Sequence, residues 1–189
     1  MARLIYARAA LFAICSLFFN PATAADLLKS GPSVFNYNFA EILYLNDDSA
    51  DGIGLRFSAD IRENYALRFE YARVSDGGFD ADTLIGGVTY HIEAARFPRK
   101  ADWVFDAGLQ FVDAGGIDDT GIFISGGLRY AVNQALEVNG TLGLSTVFDT
   151  DVNLLLRALY EVSPGLSAFV ETDLGDGSSL GLGVRFYWR

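Results

Sequence analysis

Charged residues recur at every second position of segments whose other positions are apolar. They comprise arginines and carboxylates in equal numbers: Arg56, Asp60, Arg68, Glu70, Asp106, Arg129, Glu137, Arg157, Glu171 and Arg185. If they share one side of a sheet, they could line a charged passage or pair with one another. Bulky residues with the same spacing would obstruct a water column: Phe123, Leu155, Leu159, Phe169 and Tyr187. An isolated buried charge costs several kcal/mol, so the pattern favours an internal ion-pair network.

Two further groups of side chains could bind a ligand or carry out catalysis. Asp76, Asp80 and Asp82 form the densest acidic cluster and could hold a divalent cation weakly, because such ions take several carboxylate oxygens. The alternative is a solvated acidic rim. His91, the only histidine, could serve a surface enzyme as acid or base, but its expected inward position at the inner end of a strand favours a structural role.

No glycine-rich phosphate loop and no zinc-spaced cluster occurs in the sequence. We therefore expect neither an enzyme nor a bound cofactor.

The apolar positions between these charges alternate with period two. In residues 53–61, Ile53, Leu55, Phe57 and Ile61 share one face, as side chains of a β-strand do. Nine segments show this pattern, and their apolar faces contain no Asp, Glu, Lys or Arg. Strands of about 9–11 residues are long enough to cross a bilayer at a tilt.

Residues 35–45 add a further strand, in which Ala40, Ile42 and Tyr44 face outward if Glu41 faces inward. The sequence thus predicts an all-β chain that forms a closed, up-and-down antiparallel transmembrane β-barrel of ten strands, an even number. Eight strands are the alternative, if the first strand or the short ninth one pairs differently.

The N-terminus has the pattern of a secretory signal peptide over residues 1–24. Arg3 and Arg8 precede an apolar core, and residues 22–24 form a small-x-small cleavage signal. Cleavage near Ala24 would leave a short lead over residues 25–34 and the barrel domain over residues 35–189. The net charge would fall from −10 to −12 without Arg3 and Arg8, which argues against nucleic acid as a partner. The one cysteine, Cys15, lies inside the signal peptide.

Aromatic residues collect at one end of the predicted barrel. If the N-terminus starts in the periplasm, the periplasmic rim carries a girdle of Tyr37, Tyr65, Tyr90, Trp103, Tyr130, Tyr160 and Trp188. The outer loops, each containing aspartate, are predicted at residues 46–51, 75–82, 113–119, 148–151 and 174–178. The inner turns are short except for residues 93–101, which hold Arg96, Arg99 and Lys100.

Short motifs resemble small outer-membrane β-barrel proteins of Gram-negative bacteria. Residues 37–41, Tyr-Asn-Phe-Ala-Glu, resemble the opening strand of the Ax-type small barrels, and residues 51–54 and 65–67 also fit that group. The chain is similar in this respect to OmpA-OmpX-like small barrels. Residues 181–188 resemble the aromatic-ended last strand that the barrel assembly machinery recognises. The resemblance implies an outer-membrane location and a barrel fold more than an activity.

Three functions remain open at this level. The first is a structural or surface-interaction role through acidic outer loops, with outer-membrane lipid and lipopolysaccharide as partners. The barrel assembly machinery and periplasmic chaperones would then take part in biogenesis. The second is a narrow channel for small solutes, and the third is a surface enzyme acting on lipid or peptide.

Overall fold

A computed structural model describes residues 33–47, 50–175 and 178–188. These ranges contain ten β-strands in chain order: β1 (Phe39–Asp47), β2 (Ala50–Arg62), β3 (Tyr65–Asp76), β4 (Phe79–Glu93), β5 (Ala101–Ala114), β6 (Ile117–Ala131), β7 (Leu136–Ser145), β8 (Asp151–Ser163), β9 (Leu166–Leu174) and β10 (Ser178–Tyr187). No helix of these ranges has the length and apolar character needed to span a membrane. The predicted signal peptide and residues 25–32 lie outside the described residues.

The ten strands form one closed antiparallel barrel in which every strand pairs with its neighbours in sequence. β1 closes against β10, from the Phe39–Tyr187 pair to the Asp47–Ser179 pair. Closure leaves no strand edge unpaired, which hydrocarbon requires because it offers no hydrogen-bonding solvent. The predicted ten-strand barrel is confirmed, and the eight-strand alternative is wrong.

The outer surface of the barrel is apolar. Ile53 is 59% exposed, whereas Glu41 on the opposite face of the sheet is 1% exposed. The same outward exposure occurs around the barrel at Ile42, Leu55, Leu67, Leu84, Leu109, Ile122, Leu156, Val170 and Leu182. A belt of this kind exceeds the apolar patches that soluble monomers expose, and it suits contact with lipid tails.

The two ends of the barrel differ in the turns that they contain, and we call them the terminal rim and the distal rim. The terminal rim contains the start of β1, the end of β10 and residues 63–64, 94–100, 132–135 and 164–165. The distal rim contains the end of β1, the starts of β2 and β10, the end of β9 and residues 77–78, 115–116 and 146–150.

The distal connections are shorter than predicted. Residues 75–82 and 113–119, expected to be loops, lie almost wholly in strands, and only Gly77-Gly78 and Gly115-Gly116 form the turns. All four glycines have positive φ, the conformation that two-residue hairpin turns demand. Backbone pairing continues past the apolar belt because it does not depend on side-chain polarity. The aspartates there extend from strand ends instead of from long loops.

Replacing Gly116 with alanine should lower the free energy of unfolding by about 1–2 kcal/mol, because a Cβ is disfavoured in the left-handed region. Gly116 has a φ of 87° with no atom within 4 Å of the added Cβ, so the cost comes from the backbone alone. Denaturant unfolding in detergent micelles measures it. Gly86→Ala is the matched control, since Gly86 also has open space but no positive φ. Equal stability of the two variants would contradict the turn assignment.

Candidate functional site in the barrel lumen

Glu41 is a fully enclosed carboxylate of the lumen and contacts three arginines. Its Oε1 accepts a hydrogen bond from Nε of Arg185 at 2.6 Å and one from Nη1 of Arg157 at 3.2 Å. Arg56 approaches the other oxygen at 3.5 Å. These residues are on β1, β10, β8 and β2, so Glu41 ties together the strands around the closure of the barrel.

Glu171 on β9 is the second acceptor for two of these arginines. Arg56 donates to both of its oxygens, at 2.7 and 2.8 Å, and Arg157 donates from Nε at 2.8 Å. Two-pronged guanidinium–carboxylate contacts are among the stronger hydrogen bonds in proteins. β1 and β10 separate β2 from β9, so the Arg56–Glu171 pair crosses the lumen instead of linking adjacent strands.

A third group extends the network to β3 and β5. Arg68 contacts Glu70 and Asp106, each at 2.9 Å. Asp106 also accepts hydrogen bonds from the hydroxyls of Thr89 at 2.6 Å and Ser125 at 2.9 Å. Glu70 in turn lies 3.0 Å from Nε of Arg56, which joins this group to the first two carboxylates.

Arg129 forms the part of the network nearest the terminal rim. It donates to Glu137 at 2.6 and 3.0 Å, to the Tyr187 hydroxyl at 3.0 Å and to the backbone carbonyl of Asn36 at 3.1 Å. Arg129 is on β6 and Tyr187 on β10, so this contact also spans the interior.

The lumen network as a whole is balanced in charge. Its five arginines meet five carboxylates: Arg56, Arg68, Arg129, Arg157 and Arg185 with Glu41, Glu70, Asp106, Glu137 and Glu171. Nine of the ten residues singled out in the sequence for a lumen network lie here. The tenth, Asp60, lies at the terminal rim beside His91. Buried charges are tolerated when each finds a partner, as here.

Residues 33–38, here called the terminal plug, enter the lumen from the terminal rim. The Ser33 hydroxyl, the Val34 amide (3.2 Å) and the Tyr37 hydroxyl (3.2 Å) all donate to the carboxylate of Asp102. The Phe35 ring lies against the Arg129 guanidinium, 4.5 Å from centroid to Cζ. Ser33 and Val34, the last residues of the predicted short lead over residues 25–34, are therefore docked against the barrel.

Tyr37 does not belong to the predicted aromatic girdle. It is 4% exposed and stacks on the His91 ring inside the lumen, with the centroids 3.8 Å apart. The sequence held a signal for this position, because Tyr37 has the same parity as Glu41 and both therefore point inward.

The other six girdle residues lie at the terminal rim on the outer face or its edge. Tyr65 contacts Tyr90 with centroids 5.1 Å apart, and Phe97 contacts both Trp103 and Tyr130. Trp188 stacks on Phe57 at 5.0 Å. Tyr160 is exposed on the outer face.

The predicted divalent-cation cluster is not brought together as a ligand set. Asp80 accepts hydrogen bonds from Arg73 at 2.7 Å and from Ser75 at 2.6 Å. Asp82 accepts one from the Tyr71 hydroxyl at 2.6 Å. Their carboxylate oxygens accept hydrogen bonds from donors on β3, because facing and diagonal side chains of two paired strands lie within reach of one another. In the described part of the chain no three acidic or histidine side chains are arranged to hold a metal.

His91 is 1% exposed, between the Tyr37 ring and Asp60, whose Oδ1 is 3.2 Å from its Nε2. A buried imidazole at the terminal rim has no access to a substrate at the opposite surface. This arrangement suits a packing role for His91.

The described residues line two large cavities inside the barrel. One, of about 540 Å³, runs from Arg56 and Arg185 towards Asp173 and Ser179 near the distal rim. The other, of about 880 Å³, lies at the terminal rim between the plug and the wall formed by Glu137, Leu159 and Glu161. Arg129 lines both cavities and stands between them. The lumen therefore contains open space on both sides of a side-chain barrier.

Comparison with solved structures places the fold among transmembrane β-barrels. The KdgM porin aligns with a TM-score of 0.50 and 9% identity, over 80% of this chain and 99% of that one. The KdgM porin in complex with disordered oligogalacturonate aligns with the same TM-score at 10% identity, again over 80% and 99% of the two chains. At such identities the likeness shows the fold alone. No family model and no curated protein matches the sequence.

Proposed function

We propose that the protein is an exported outer-membrane β-barrel with a closed lumen and a structural or surface-interaction role. The observation that carries this proposal is the set of ion pairs that cross the interior, together with the terminal plug docked on Asp102 and Arg129. In this proposal residues 1–24 are removed as a signal peptide, and the mature chain belongs with the small Ax-type or OmpA-OmpX-like barrels.

The distribution of charge supports an orientation with the terminal rim in the periplasm. Exposed cations are concentrated there at Arg62, Arg99 and Lys100, while the distal rim carries Asp51, Asp113 and Asp118. An acidic distal rim facing outward would meet lipopolysaccharide through bridging divalent cations, since direct contact between two anionic surfaces is repulsive. Periplasmic chaperones and the barrel assembly machinery would contact the chain before it closes.

The closed lumen is stabilised by mutual neutralisation. A conducting path would require displacing Arg56 from Glu171 or Arg129 from Glu137, and each separation breaks an ion pair in the interior. Breaking one buried pair costs about 3–5 kcal/mol, which makes spontaneous opening rare.

A narrow channel is the second candidate, and the interior cavities of about 540 and 880 Å³ favour it. In that case Arg129 and the terminal plug would act as the gate between them. No catalytic role is proposed, because the only histidine is enclosed between Tyr37 and Asp60.

Planar bilayer recordings separate the two candidates. We expect the purified wild-type protein to show no discrete conductance steps. A triple variant, Tyr37→Ala with Arg129→Ala and Glu137→Ala, removes the barrier between the two cavities. Its charge stays balanced, because the arginine and its carboxylate partner are removed together. This variant should produce discrete conductance steps. That result would show that the recordings can detect a pore of this size. Regular steps from the wild-type protein would overturn the closed-lumen proposal and favour the channel.

A further inference from the structure

A concave strip interrupts the outer surface over β6 to β10. Its volume is about 500 Å³, and its wall is formed by residues that include Tyr130, Val138, Gly140, Leu156, Ala158 and Leu180. The hollow exists because Gly140 and Ala158 add little volume where their neighbours carry Leu, Val and Tyr. A cavity of this size lies within the range of ligand-binding pockets, about 300–1,000 Å³.

The strip rises from the terminal rim to the outer half of the barrel. Tyr130, at the end of β6, pairs with Val138, which pairs with Ala158, which pairs with Val170. Each of these residues lies one strand further round the barrel. A second row of strip residues lies on the distal side of this one. It ends at Leu180, two residues from the start of β10 at the distal rim.

The lower end of the strip adjoins a basic loop. Residues 94–100 fold over the outer face, where they cover Ile92 and Ala101, both buried despite their outward parity. The Phe97 ring is 6.0 Å from that of Tyr130, and the Ala131 amide donates to the Lys100 carbonyl at 2.9 Å. The backbone of Lys100 is thus beside the strand end that begins the strip, and the Arg99 and Lys100 side chains lie at the mouth of the terminal-rim cavity, which they help to line.

This loop carries the main concentration of positive charge in the sequence. Arg99 and Lys100 are the only pair of basic residues that are adjacent in the sequence, and both are exposed. The chain as a whole has a net charge of −10. Membrane proteins hold anionic headgroups with lysine and arginine placed at the interface. An aromatic side chain at the same depth, here Phe97 against Trp103, suits the boundary between headgroups and tails.

We propose that the strip and the basic loop together bind one anionic phospholipid. Arg99 and Lys100 contact its phosphate, and one acyl chain lies in the hollow over Gly140 and Ala158. The proposal rests on the placement of the barrel in a membrane and adds a specific inner-leaflet lipid to it. A second copy of the chain fits the strip less well, because a symmetric contact would bring two basic loops together.

Native mass spectrometry of the full mature chain in detergent tests the proposal. The probes are dioleoyl phosphatidylglycerol, dioleoyl phosphatidylcholine and glycerol 3-phosphate, which supplies a phosphate without a tail. We expect phosphatidylglycerol to be retained better than phosphatidylcholine, by about fivefold for each of the two basic residues Arg99 and Lys100. Glycerol 3-phosphate should not compete with it.

Two variants address the two halves of the site. Gly140→Leu fills the hollow, and an added Cβ there meets only the Leu156 side chain at 3.5 Å, so the barrel should still fold. Gly86→Leu, at another outward glycine with open space around it, is its control. Arg99→Ser with Lys100→Ser removes the charge, and Arg62→Ser removes an exposed cation of the same rim elsewhere. Each site variant should lose retention at least fivefold relative to its control.

Equal retention of the two phospholipids would overturn the headgroup assignment. Competition by glycerol 3-phosphate would show a site for free phosphate instead of a lipid. Equal behaviour of Gly140→Leu and Gly86→Leu, or a dimer that Gly140→Leu abolishes, would overturn the acyl-chain assignment. A mature chain that stays in solution without detergent would instead contradict the membrane placement itself. That outcome distinguishes failure of the proposed function from failure of the lipid site alone.

Discussion

Replacing Glu41 by leucine should lower the free energy of unfolding by about 3–5 kcal/mol, the cost of removing one partner from buried ion pairs and leaving an excess positive charge in the interior. Arg185 and Arg157 would lose hydrogen bonds of 2.6 and 3.2 Å, and Arg56 would lose its 3.5 Å contact. Urea titration of the refolded barrel in lipid vesicles, followed by tryptophan fluorescence and by gel mobility without boiling, measures the change.

Two further variants control this experiment. Glu161→Gln alters an exposed carboxylate at the terminal rim and should change stability by less than about 1 kcal/mol. Glu41→Leu combined with Arg185→Leu removes both partners of the shortest contact, so it should recover part of the loss. A Glu41→Leu protein as stable as Glu161→Gln would show that the lumen charges are solvated and not paired.

The second large effect is expected on the outer face of β7. Leu142→Arg should destabilise the folded barrel by about 2–4 kcal/mol, because the charge would meet hydrocarbon near the middle of the bilayer. Its neighbour Thr141 lines the interior cavity, where an added guanidinium can reach water and carboxylates. Thr141→Arg should therefore be tolerated better in the same urea titration.

The comparison of these adjacent positions has a clear failing outcome. Equal stability of Leu142→Arg and Thr141→Arg would mean that the two faces of the sheet meet similar surroundings. The apolar belt would then not contact lipid, and the membrane placement would fall with it.

The sequence predicted the strands and their faces well because both follow from local geometry. Side chains on a strand alternate, so the inward position of Glu41 fixes the outward positions of Ile42 and Tyr44, and both are exposed. The number of strands and their closure also followed, since hydrocarbon excludes an open edge.

The sequence did not predict which charges pair across the interior. The Arg56–Glu171 contact depends on the curvature and stagger of the closed barrel, which bring side chains of β2 and β9 within reach of one another across β1 and β10. The docking of residues 33–38 on Asp102 depends in the same way on residues about 70 positions apart. The length of the distal turns was also missed, because polar composition alone does not distinguish a loop from a strand end in water.

The position of Glu41 constrains the order in which the sheet can assemble. This carboxylate is on the first strand, and two of its three arginines are on β8 and β10. A partly curled sheet would hold it with Arg56 alone while both edges of the sheet lack hydrogen-bonding partners. Such intermediates are destabilised both by incomplete charge pairing and by unpaired backbone groups. Joining the first strand to the last should therefore complete both kinds of pairing in one cooperative event.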